Sequence, residues 1–219
     1  MTIGVLSFAL LATLYFAMPI LNGKPTPDLI FRLSLGSGYV ALILLCLSLG
    51  FGVWRLFKRN RKPPIHFDLR RDVGIWAGVF AVFHSVVGLF VHFRGKGVWN
   101  YFIYAPEQNA AFPVRFDIFG FANHAGLVAV LIVILLLAIS NDFSIKKLGG
   151  GRWKNLQRWN YAFFALVLIH AVLYIIIENR PLLFILLSVL LFGSTIILQI
   201  IGFVRYRRAA AINDTALST

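Results

Sequence analysis

A chain of 219 residues that is 59% hydrophobic and only 13% charged, with a mean hydropathy of +0.82, carries too little polar surface to cover a water-soluble domain. Its net charge of +13 sits in clusters at the ends of apolar runs, which argues against nucleic-acid binding, where cations gather on one folded face. The single cysteine, Cys46, leaves no disulfide framework and no cysteine-based metal site within the chain.

Apolar runs of spanning length occur at 3–21, 38–57, 73–93, 118–140, 159–177 and 182–204. They predict an all-α, polytopic protein of the lipid bilayer: one domain over 1–219, with six transmembrane helices bundled around a central site. The first run lacks a basic start and an A-x-A cleavage pattern, so it reads as a retained helix rather than a signal peptide. Cations at 55–71, 146–158 and 205–208 all fall on one side of the membrane and make up fifteen of the 21 lysines and arginines. The positive-inside bias makes that side, and both termini, cytoplasmic.

The first two helices have no ionisable residue in their central turns and read as walls, with Gly36 and Gly38 as packing or cap glycines. The link 58–72 holds Pro63, Pro64 and His66, a solvated loop histidine. The third span, RRDVGIWAGVFAVFHSVVGLFVHF, places His84 well inside the apolar run. Gly74, Ala77, Gly78, Ala81, Ser85 and Gly88 share one third of the helix circumference with His84 and His92. Such a face either lets another helix approach closely or leaves room for a flat cofactor. The outer link 94–117, with Trp99, Tyr101, Tyr104, Pro106 and Pro113, reads as a folded cap, either an interfacial belt or a docking surface. The fourth helix opens in GFANHAG with His124 near its outer edge, and Asn141 and Asp142 close it. The GGG that follows is a turn and not a nucleotide loop, since no strand precedes it and no lysine-serine or lysine-threonine pair follows.

The fifth span, WNYAFFALVLIHAVLYIII, contains His170. Counted from their inner basic ends, His84 lies 13 residues beyond Arg71 and His170 lies 12 beyond Arg158, rises of about 20 and about 18 Å. Two imidazoles therefore reach one depth on helices that run the same way, and neither span offers an acidic partner. Two imidazoles fill only half of a tetrahedral zinc shell, but they complete an iron whose other four ligands come from a porphyrin. The expected cofactor is a heme with His84 and His170 as axial ligands, suited to one-electron transfer rather than oxygen binding.

Arg70, Arg71, Gly74 and His84, followed by Arg152, Trp153, Lys154, Leu156, Arg158, Tyr161 and His170, resemble the ferric reductase-like transmembrane domain. Within that group the chain is most similar to the MsrQ-type heme-binding membrane subunit. The likeness covers about half the chain, 70–177. It implies a b-type cytochrome of a bacterial inner membrane, passing electrons from a cytoplasmic-side or quinol donor to an outer acceptor. Heme ligation carries over to His84 and His170. The family's inner pair of histidines, about 13 residues earlier, falls here on Arg70 or Arg71 and on Gln157, none of which ligates heme iron well. One heme is expected for that reason.

The inner half of the path would be lined by Trp76, Phe80, Phe83, Trp159 and Phe163. Arg70, Arg71, Gln157 and Arg158 form a possible inner donor site for a flavin phosphate or a quinol, with a solvated basic rim as the plainer reading. His92 and His124, near the outer boundary, form a possible exit or metal-reduction site, with interfacial hydrogen bonding as the plainer reading. Outward heme propionates would meet Arg94, Lys96, Arg115 or Asn123. Only 205–219 follow the last helix, so a nicotinamide-binding domain is not expected within this sequence, and the electrons must come from a redox partner protein or a quinol. Two alternatives stand beside this electron-transfer subunit of an oxidoreductase. One is an outer-surface ferric or cupric reductase acting at His92 and His124, and the other is a non-redox membrane protein with structural histidines.

Overall fold

A computed structural model describes residues 2–22, 28–57, 65–93, 97–108 and 110–217. It is all-helical among the described residues: α1 (Thr2–Asn22), α2 (Leu29–Phe57), α3 (Ile65–Gly88), α4 (Ile118–Ala138), α5 (Asp142–Leu148), α6 (Gly150–Gln157), α7 (Trp159–Ile177) and α8 (Leu182–Leu217). Among the described residues four helices are long and apolar enough to cross a membrane: α2, α4, the run through α6 and α7, and α8. The apolar part of α1, Thr2–Met18, is shorter, and α3 has little apolar length between the charges of Arg70, Arg71 and Asp72 and its end at Gly88.

Several boundaries differ from the sequence reading. Helix α2 begins nine residues before Gly38, at Leu29, because Arg32 interrupts the apolar pattern without interrupting the helix. Its guanidinium lies over the Tyr15 ring, 5.6 Å from the centroid. Helix α3 starts at Ile65, so His66 stands in its first turn rather than in a link; its side chain, like all of 58–64, lies outside the described residues. The helix stops at Gly88, and tight backbone bonds from Phe90 to Val87 and from Val91 to Gly88 carry 89–93 as turns, which takes His92 off the helix. Asn141 closes the fourth span by donating its Nδ2–H to Ala138 O at 2.7 Å, and it has a second role. It opens α5, its side chain accepting from the Ser144 N–H at 2.8 Å. The GGG does turn the chain: Gly149, at φ 74°, ends α5 and leads into α6, a conformation glycine adopts without a Cβ penalty.

Helix α2 packs along α3 and α4 packs along α7, and these two tight pairs are joined through α3 against α4 and α2 against α8. Glycines set some of these approaches. A Cβ on Gly4 of α1 would collide with the Trp76 ring, and one on Gly78 would fall 2.8 Å from Leu137 of α4. Polar side chains inside the helices return their hydrogens to their own backbone, as Ser37 does to Leu33, Ser85 to Ala81 and Thr195 to Leu191, which hides a donor where no water is available. Outward faces carry large apolar side chains such as Leu135, Val189 and Leu190, an arrangement suited to lipid.

The outer link folds over the bundle. Short 3-10 turns at Val98–Tyr101 and Pro106–Gln108 are followed by a bridge between Ile103 and Val114, with the Arg115 N–H donating to Phe102 O at 2.8 Å. Tyr101 is 2% exposed, and its hydroxyl donates to Gly88 O at 3.0 Å and accepts from the His92 N–H at 3.1 Å, which ties the cap to the end of α3. Trp99, Phe112 and Phe116 face outward from it.

Candidate cofactor site

Between the α2–α3 pair and the α4–α7 pair lies a cavity of about 570 Å³, within the size range of small-molecule and cofactor sites. His84 and His170 both line it, and their ring centroids are 6.1 Å apart with planes at 83°. Each ring is held in the same way. His84 Nδ1 lies 2.7 Å from Ser34 O on α2, and His170 Nδ1 lies 2.8 Å from Ala122 O on α4. A carbonyl oxygen can only accept, so both bonds require Nδ1–H and leave the Nε2 lone pair as the ligating one. Histidines bound to metals are commonly oriented by such a bond from their second ring nitrogen.

The spacing of the rings can be tested against a metal between them. A bond of about 2.0 Å from imidazole nitrogen to a first-row metal, with a ring centre about 1.1 Å from each ring atom for bonds near 1.33 Å, puts two trans imidazole centroids roughly 6 Å apart. The observed 6.1 Å matches, and rings twisted about a shared axis can keep planes near perpendicular. Small and apolar side chains, among them Gly38, Ala81, Ser85, Gly126 and Ala171, leave the volume open around the rings. The residues present fit a flat tetradentate ring with two axial imidazoles. Among the described residues no group of three or more His, Cys, Asp or Glu side chains gathers to hold a bare ion.

The small face of α3 divides between the two uses that the sequence left open. Gly74 and Gly78 pack against Ser48 of α2 and Leu137 of α4, whereas Ala81, Ser85 and Gly88 line the cavity. The glycines that accommodate the two imidazoles lie on the opposing helices. A Cβ on Gly38 would stand 3.0 Å from His84 Nδ1, and one on Gly126 would stand 2.9 Å from His170 Nδ1. Each lies one turn beyond the carbonyl that its histidine bonds, Ser34 to Gly38 and Ala122 to Gly126. The short motifs S-x-x-x-G and A-x-x-x-G were the signal available in the sequence.

Other candidate residues are dispersed. His92 lines the outer end of the cavity, with Nε2 3.3 Å from Glu178 Oε1 and its ring 6.1 Å from that of Tyr174. His124 packs on Phe102, at 5.6 Å between centroids, and lines a separate apolar recess with Phe121, Leu166 and Ile169. The two histidines therefore do not share a cavity. At the inner end, Arg71 pairs with Asp142, Gln157 Nε2 donates to Ser140 Oγ at 3.3 Å, Arg70 lies where a Cβ on Gly52 would meet it, and Arg158 is exposed. Phe80 and Phe163 are buried, Trp76 packs on Phe8 and Phe80, and Phe83 and Trp159 face outward.

Of the suggested propionate contacts, Asn123 lines the cavity and accepts from the Tyr174 hydroxyl at 2.9 Å. Arg115 does not line it: its guanidinium bonds Asp117 at 2.8 Å and Asn100 O at 2.9 Å. That neighbour holds the Asp117 carboxyl below its ordinary value. Arg94 and Lys96 lie outside the described residues. Arg180, absent from the sequence reading, lines the cavity at its outer end.

No protein-family profile matches the chain. A stretch of 48 residues is 48% identical to the magnetosome protein MamZ of Magnetospirillum gryphiswaldense. The match spans 22% of this chain and only 7% of the length of that relative.

Proposed function

We propose that this chain is a membrane b-type cytochrome, an electron-transfer subunit with one heme held between His84 and His170. The observation that carries the reading is the pair of imidazoles 6.1 Å apart, each with Nδ1 committed to a helix carbonyl and each lining the same cavity. Bound heme, which His84 and His170 would hold, would supply one-electron chemistry. The chain's own part is to fix both rings in the ligating tautomer, admit a flat ring beside small side chains and keep water away with apolar walls.

In this reading α1, α2, α3, α4, α7 and α8 make six spans in a bacterial inner membrane, with the basic clusters and both termini cytoplasmic. The resemblance to the ferric reductase-like domain, and to its MsrQ-type subunit, belongs to the same proposal. Electrons enter from the cytoplasmic side, from a quinol or from a flavin on a partner protein, and leave toward an outer acceptor. The competing reading, a ferric or cupric reductase acting at His92 and His124, gains no shared site from their positions in two different cavities.

The test is a reduced-minus-oxidised spectrum of the purified chain. Sharp b-type bands that vanish in both His84→Ala and His170→Ala support the proposal. Bands that survive either change, or a colourless protein, exclude it.

A further inference from the structure

The outer end of the cavity carries a cation that the electron-transfer reading leaves without a role. Helix α7 ends in a Schellman arrangement: the Asn179 N–H bonds Ile176 O at 3.2 Å, and the Arg180 N–H reaches back to Ile175 O at 3.1 Å. Asn179 takes the left-handed conformation, φ 47°, that this ending needs, and asparagine is among the few side chains that tolerate it. Pro181 follows and α8 begins at Leu182, so the backbone of Arg180 is fixed at the α7–α8 corner.

From that corner the Arg180 side chain turns into the cavity, partly buried, with its guanidinium over the Phe31 ring at 4.9 Å from the centroid. Among the described residues it has neither an ion pair nor a hydrogen-bonded acceptor. The nearest acidic residue in sequence, Glu178, lends Arg180 its field, but its carboxylate makes its contact with His92, at 3.3 Å. The other polar side chains at this end are satisfied. Tyr101 bonds Gly88 O, Tyr174 bonds Asn123 and Tyr39 bonds Ser188. A guanidinium stays charged and presents five donors in a fixed fork, the geometry that receives a carboxylate in bidentate fashion. Leaving those donors unmet in a partly buried place is costly, and an anionic ligand group removes the cost.

We propose that Arg180 is the clamp for a carboxylate substituent on the occupant of this cavity, so that the site selects a porphyrin carrying free acid side chains and seats it with those acids toward the outer end. This rests on the bis-imidazole heme reading and adds to it the residue that sets the ring's rotation and recognises its acid edge.

The test uses the full-length chain, produced without heme and kept in detergent. It is titrated with iron protoporphyrin IX and, separately, with the dimethyl ester of the same porphyrin. Wild type is expected to bind the diacid about tenfold more tightly than the diester. Arg180→Gln is expected to bind both at the diester's affinity, and Arg180→Lys to regain part of the preference, since an ammonium keeps the charge and loses the fork. Unchanged diester binding by Arg180→Gln shows an intact bundle. Equal affinities in wild type, or an undiminished preference in Arg180→Gln, overturn the clamp and leave the two axial histidines standing. If Arg180→Gln takes up neither porphyrin, Arg180→Lys decides, because a preference equal to wild type's overturns the clamp and a reduced one supports it. Failure of wild type to bind either porphyrin overturns the heme reading and the clamp together.

Discussion

Gly38 faces the His84 ring so closely that the Cβ it lacks would stand 3.0 Å from Nδ1, inside ordinary van der Waals contact. Gly126 has the same relation to His170 at 2.9 Å, and in each case the carbonyl one turn earlier receives the ring's hydrogen bond. The two halves of the site are built alike. A methyl group at either glycine pushes an imidazole off its carbonyl and toward the cavity, changing both ring position and tautomer preference. Gly38→Ala and Gly126→Ala are each expected to lower heme content several-fold while leaving helix content unchanged. The check is the ratio of b-type absorbance to protein alongside far-ultraviolet circular dichroism, and full heme loading in both variants would remove the glycines from the account.

Tyr101 joins the outer cap to the end of α3 by one donated and one accepted bond. Tyr101→Phe leaves the His92 N–H without its acceptor and removes one of two donors to the Gly88 carbonyl, which keeps the Val91 N–H, at a cost of about 1 kcal/mol. The melting temperature of the detergent-solubilised protein should fall by several degrees. A melting temperature equal to wild type's would show that the cap does not depend on this hydroxyl.

Asp117 caps α4 by accepting from the Gly120 N–H at 2.7 Å, and hydrogen bonding to Arg115 holds its pKa below the ordinary 3.8. The sign follows from which state binds the proton more tightly. The unfolded chain does, so the contribution is fully present above about pH 4 and is lost as pH falls through the lowered folded value. Wild type should therefore lose more stability than Asp117→Asn on going from pH 6 to pH 3. Parallel thermal curves for the two proteins over that range would contradict the assignment.

At the end of the bundle proposed to face the cytoplasm, Arg71 is tied to Asp142, whereas Arg158 is exposed and so better able to meet an incoming anion or quinol head. Under the donor-site reading, Arg158→Gln should slow heme reduction by a quinol several-fold, with Arg71→Gln acting in the same direction but more weakly. The Arg71 variant should cost little stability, since exposed ion pairs contribute under about 1 kcal/mol. Stopped-flow reduction rates that neither substitution changes would retire the docking site.

Much of the central arrangement was legible in the sequence because helical rise is regular. Counting residues from Arg71 and Arg158 was enough to expect His84 and His170 at one level, and the structure brings their rings together. Turn-forming residues such as Gly149, and the folding of the outer link around Tyr101, were also visible from local chemistry. The parts that escaped depend on contacts between segments far apart in sequence. The roles of Gly38 and Gly126 exist only because α2 and α4 lie against the histidine-bearing helices, and the motifs S-x-x-x-G and A-x-x-x-G mark a close approach without naming what the glycine faces. The shortening of α3 at Gly88 escaped because 89–93 are as apolar as the helix before them, and hydropathy does not register a change in backbone hydrogen bonding. Arg180 was overlooked because charge counting treats a link residue as solvated. The Schellman turn at Asn179 fixes the backbone from which that side chain reaches the cavity.

The most direct measurement is the heme-to-protein ratio of the purified chain by pyridine hemochromogen assay, taken with the spectrum of its reduced form under carbon monoxide. One heme b per chain, with reduced bands that carbon monoxide does not alter, is the expected result for an iron held on both sides by His84 and His170. A ratio near zero, a ratio of two, or a prompt carbon monoxide shift in the wild-type protein would contradict it.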